Sequence, residues 1–127
     1  MSQNRNNIDQ GLDAFRREFG KVLDPVSFLN EKNPELCNAF LHLHELTLNE
    51  GVVSKKYKFL IHAAITAALH DHEATVMHVI GALRAGCSEQ ELLETAFTMI
   101  PVAGMPAFGL FLAAWQKALQ ASDLGTP

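Results

Sequence analysis

The chain has 127 residues, a hydrophobic share of 48% and a formal net charge of -4, which is enough for one ordinary domain and too little for two separate cores. Mild acidity and the lack of any basic run exclude the electrostatic footprint of a nucleic-acid binder. The opening MSQNRNNIDQ has no apolar centre of a secretory signal, and His, Lys, Glu or Pro breaks each apolar stretch before the roughly 18 residues of a membrane span, so the sequence reads as soluble and cytoplasmic, without a membrane partner.

Ile8, Leu12, Phe15 and Phe19 recur at helical spacing with Gly20 as a stop, which predicts a first short amphipathic helix. Residues 1–30 read as this peripheral helix and a loop containing Asp24 and Pro25. Asn33 before Pro34 and Glu35 starts the next helix, because proline at the first helical position loses no hydrogen bond and already holds a helical φ. That helix runs to about Asn49, with Gly51 beyond it. Ser54 is placed to cap a third helix that carries Lys55, Lys56 and Lys58 early and then continues to Leu69 as an alanine-rich stretch. Apart from His62 and Thr66 this stretch is apolar on every side, which predicts a central helix buried all round.

A fourth helix is expected over residues 73–85, capped by the Asp71 carboxylate and ended by Gly86. Ser88 and Glu91 form a reciprocal capping box for a fifth, which stops near Ile100. Pro101, Gly104 and Pro106 make a kinked junction, and Pro106 opens a last helix through Phe108, Leu112, Trp115 and Leu119, with residues 122–127 read as a frayed tail. No strand emerges, so the fold class is all-α, in one domain of about six helices. Two helices apolar on more than one face leave more hydrophobic surface than a lone monomer covers easily, which predicts a homo-oligomer.

Cys37 and Cys87 match neither a Cys-x-x-Cys pair nor a zinc spacing, and read as small buried apolar residues. His70, Asp71, His72 and Glu73 crowd together ahead of His78, and their ligand types suit zinc, iron or nickel. However, His72 and His78 are six apart and share no helix face, neighbouring turn residues diverge, and His42 and His44 face apart, so no metal is expected. Met99, Met105, Phe108, Phe111 and Trp115 read either as a pocket lining near Gly104 or, at helical spacing, as core or subunit interface.

The order of a Ser54-Lys55-Lys56 start, an alanine-rich helix, His78, the run HVIGALRAGCSEQEL and the turn AGMPA resembles the carboxymuconolactone decarboxylase family, which includes the alkylhydroperoxidase D-like proteins. The resemblance covers about residues 34–119 and implies an all-α fold built around a helical hairpin, assembled as trimers or hexamers. Its peroxidase branch uses a Cys-x-x-Cys-x-x-x-His motif after a glutamate. With His78 as the motif histidine, the cysteine positions fall on Asp71 and Ala74 and the glutamate position on Phe59. Peroxide reduction by that route needs a thiolate and a resolving thiol, so the thiol cycle is excluded, and Cys87 leaves only a divergent one-cysteine version.

The decarboxylase branch also lacks the cysteine pair and keeps the histidine. The resemblance therefore implies cofactor-independent acid–base chemistry on a small organic acid or lactone, with His78 as general acid and His62, His70 and His72 as candidate partners. Arg84 is the one arginine after Arg17, which argues against a dicarboxylate such as muconolactone itself. Two structural readings stand beside this: His78 as a hydrogen-bonded core histidine, and the whole chain as a non-catalytic binding or scaffold protein in which Phe59 and Ala74 fill a former site.

Overall fold

The computed structural model describes residues 2–20, 22 and 24–125, and the side chains of residues 11–20, 22 and 24–121. Among the described residues six helices follow in chain order: α1 (Ser2–Phe19), α2 (Asp24–Lys32), α3 (Pro34–Leu48), α4 (Lys55–Ala68), α5 (His72–Arg84) and α6 (Glu89–Gly125). They form two compact units, 1–49 with α1 to α3 and 50–127 with α4 to α6.

In the first unit α1 and α2 both pack on α3. Leu12, Phe15 and Phe19 are buried as their spacing predicts, while the side chain of Ile8 lies outside the described residues. Phe15 and Phe19 stack against each other at 4.7 Å and against His44 at 5.3 and 5.4 Å. Gly11 is held against Leu41, where a β-carbon would come within 3.0 Å of Leu41 Cδ1. The segment expected to be a loop around Asp24 and Pro25 is instead the start of α2. An Asx-Pro pair opens it much as Asn33-Pro34 opens α3, where the Asn33 side chain accepts from the Leu36 N–H at 3.1 Å.

The second unit is an α4–α5 hairpin with α6 packed on both members. Its core holds Phe59, Ala63, Val79, Leu92, Phe111 and Ala114. Two expected caps form: the Asp71 carboxylate accepts from the Ala74 N–H at 3.1 Å, and Ser88 and Glu91 exchange bonds at 2.9 and 3.1 Å. Ser54 does occupy the N-cap position of α4, but its hydroxyl makes no cap bond.

Three further expectations are corrected. α4 is not buried all round: Phe59, Leu60, Ala63 and Ala67 face the core, whereas Tyr57, Ile61, Ile65 and Leu69 are 46 to 73% exposed, because α5 and α6 cover one side only. The helix begun at Ser88 does not stop near Ile100. It passes Pro101 and breaks at Gly104, whose φ of 87° and ψ of 171° lie outside helical space, and a second arm continues to Gly125 through part of the tail read as frayed. Thr126 and Pro127 of that tail lie outside the described residues. Finally, the prolines do not cut α6 below membrane-spanning length: Glu89–Ala121 is long and apolar enough to cross a membrane by length and composition alone. One stripe of it, including Leu92, Ala96, Met99, Ala107, Phe111 and Ala114, is buried, as in a helix packed on a core.

Candidate functional site

α4 and α5 run antiparallel, so positions facing each other have nearly constant summed numbers, and two polar rows result. Thr66 meets Thr75, hydroxyl to hydroxyl, at 2.9 Å. Thr75 also donates to the Asp71 carbonyl at 2.7 Å and Thr66 to the Ala63 carbonyl at 3.1 Å, so two hydroxyl protons serve three contacts and tie the hairpin below its turn.

One turn further along, His62 meets His78 edge to face, with ring centroids 5.0 Å apart and planes at 90°. His78 is buried at 7% exposure and His62 is half-buried. Burial lowers the His62 pKa from its ordinary value near 6.5, which leaves the ring neutral at neutral pH. A neutral imidazole keeps one nitrogen as proton acceptor and one as donor.

The other two candidate histidines lie elsewhere. His70 occupies the left-handed residue that ends α4, with φ 61°, and its N–H donates to the Ala67 carbonyl at 3.0 Å. His72 is the first residue of α5. Both side chains are exposed and make no hydrogen bond, ion pair or ring contact among the described residues. The structure thus brings His62 and His78 together and leaves His70 and His72 on the turn. Among the described residues no three His, Cys, Asp or Glu side chains gather as a metal site.

Where the resemblance puts two thiols, the Asp71 carboxylate instead caps the Ala74 N–H. Where it puts a glutamate, Phe59 is 2% exposed, with Lys55 Nζ 5.9 Å from its ring centroid. Cys87 is buried, its Sγ 3.6 Å from the Lys56 carbonyl oxygen, and burial pushes its thiol up to about 11. A thiol so protonated at neutral pH is a poor nucleophile, which counts against the one-cysteine peroxidase alternative. Cys37 is buried likewise, with its thiol raised by burial. The aromatic and methionine set divides: Met99, Phe111 and Trp115 are buried, whereas Met105 is 61% exposed and Phe108 half-buried.

Sequence reading did not find a groove of about 510 Å³ on the other side of α4, lined by Tyr57, Leu60, Ile61, Ala64, Glu91, Glu94, Thr95 and Thr98. At its head Lys56 Nζ is 3.0 Å from Glu91 Oε2. The Ser88 N–H, then Lys56 and the Tyr57 hydroxyl, hold the Glu91 carboxyl down at about 2. The signal was present, since 57, 61, 64 and 91, 95, 98 share one helical spacing. Nothing in the sequence says that these two stretches lie side by side and parallel. A second concavity of about 670 Å³, in the first unit, is lined by Ala14, Arg17, Asn38, Leu41, His42 and Glu45, with Gly11 at its edge.

Comparison with known proteins places this arrangement. Residues 34–117 match the sequence profile of the carboxymuconolactone decarboxylase family. A crystal structure from Burkholderia xenovorans LB400, provisionally assigned as a carboxymuconolactone decarboxylase, is similar with a TM-score of 0.82 and 25% identity over 95% of each chain. A carboxymuconolactone decarboxylase family protein from Legionella pneumophila, solved without ligand, shares the fold with a TM-score of 0.73 and 23% identity, over 87% of this chain and 98% of that one. No curated protein matches the sequence significantly. The profile spans most of α3 to α6, including the histidine-bearing hairpin, and on that match the chain belongs to the carboxymuconolactone decarboxylase family.

Proposed function

We propose that the chain catalyses cofactor-independent acid–base chemistry on a small organic acid or lactone at the His62–His78 pair, working in the cytoplasm as a homo-oligomer of three or six copies. The observation that carries this reading is the edge-to-face contact of a buried and a half-exposed histidine at 5.0 Å on the family's hairpin. In a decarboxylation the substrate carboxylate leaves as CO2, its bonding electrons remain as an enolate, and the His78 imidazolium delivers a proton to carbon. The neutral His78 ring is then reprotonated from the solvent side, where His62 stands. Arg84, the one arginine in α4 to α6, is exposed in the last turn of α5, which favours a monoacid over a dicarboxylate.

The test is a panel of lactones and enolisable monoacids followed by CO2 release. The native chain is expected to turn over at least one of them, and His78→Ala to slow it roughly a hundredfold or more with helicity and assembly unchanged. Equal turnover by the variant, or none by the native chain across the panel, would count against the reading. The second reading is a non-catalytic binding or scaffold member of the family. The fully packed Phe59 favours it, since an apolar ring there fills space that a polar group would otherwise serve.

A further inference from the structure

The groove between α4 and the first arm of α6 has an apolar floor of Leu60, Ile61 and Ala64 and a rim of Glu94, Thr95 and Thr98. Its hydroxyl protons are already used: Thr95 donates to the Glu91 carbonyl and Thr98 to the Thr95 carbonyl, each at 2.7 Å. Lys56 is committed to Glu91. The Glu94 carboxylate is exposed and makes no bond or ion pair among the described residues. What remains along the rim is acceptors and negative charge, so the groove repels an organic anion and suits a cation carried on a slim apolar body. It is thereby chemically distinct from the histidine site.

The chain itself carries such a body. Lys117 is exposed and makes no ion pair, hydrogen bond or ring contact among the described residues. Gly109, Ala113 and Lys117 recur every fourth residue along the exposed face of the second arm of α6, and a β-carbon at Gly109 would meet nothing within 4 Å. A ridge this low lets another helix come close. It extends about 12 Å, against about 10 Å for the seven-residue steps that line the groove.

We infer that the groove receives the second arm of α6 from a second copy of the chain, with Lys117 of the partner subunit set against Glu94. This deepens the homo-oligomer part of the proposed function and is independent of its chemistry. Groove and ridge are different patches of one molecule, so the contact is head-to-tail and closes into a ring when the rotation permits.

Sedimentation velocity on the full chain tests it. The native chain is expected to assemble, and Glu94→Lys and Lys117→Glu each to weaken assembly about tenfold or more at low salt. Combining the two reversals should restore most of the loss. Both positions are exposed, and circular dichroism confirms that the variants fold. Assembly unchanged by either reversal, or a double variant no better than the singles, overturns this contact while leaving homo-oligomerisation standing. A monomeric native chain overturns both. Hexylammonium bound at Ile61 and Thr98 of such a monomer would make the groove a small-amine site instead.

Discussion

At the scale of single residues, the His62 pair sets a pH dependence whose sign is fixed. Burial lowers the His62 pKa in the folded chain below its ordinary 6.5, so the unfolded chain binds the proton first as pH falls. Stability is therefore fully present above about 6.5 and is lost as the pH drops through the lowered value. Urea unfolding at pH 8 and pH 5 is expected to show this loss, and His62→Gln to reduce it; an identical loss in the variant would remove His62 as its source. Glu91 acts with the same sign in a more acidic window, present above about 4.5 and lost towards about 2. Cys87 runs the other way: its contribution is complete below about 9 and is lost as pH rises through about 11. The histidine types were legible in the sequence. Which two would meet was not, because numbers 62 and 78 become neighbours only once the hairpin's register is known.

At the scale of the elements, the helix ends were the most legible feature. Asn33, Asp71 and the Ser88–Glu91 box all form the cap bonds their positions predict, since a cap depends on residues within one turn of itself. What local reading missed depended on distant partners or on the backbone. The Ser54 hydroxyl makes no cap bond, and the backbone breaks at Gly104, not at Pro101. The ends also carry strain that can be measured. His70 pays for a left-handed φ of 61° with a β-carbon. His70→Gly is expected to gain up to about 1 kcal/mol in urea unfolding, after the entropy glycine itself costs. Gly104→Ala, at φ 87°, is expected to lose about 1 to 2 kcal/mol. Activity unchanged in His70→Gly would also take His70 out of the list of candidate partners.

For the molecule as a whole, the sequence was right that apolar surface is in surplus and silent on where it lies. α4 reads apolar on all sides, and the structure gives half of that to the core and half to solvent, with Ile61 at 48%, Ile65 at 53% and Leu69 at 73% exposure. Ile65→Asp tests what that outer face is for. Because the side chain is half exposed, the change is expected to cost the isolated fold under about 1 kcal/mol, yet to shift the sedimentation coefficient towards that of one 14.0 kDa chain. An unshifted oligomer would assign the face to something other than assembly. The clasp at the head of the groove has a different consequence, one for how the two helix ends open. Glu91 closes the first turn of α6 through Ser88 and at the same time holds Lys56 in the first turn of α4, across 35 residues of chain. Fraying of either turn strains or breaks this contact as well, so the two helix starts, far apart in sequence, are coupled in their local opening.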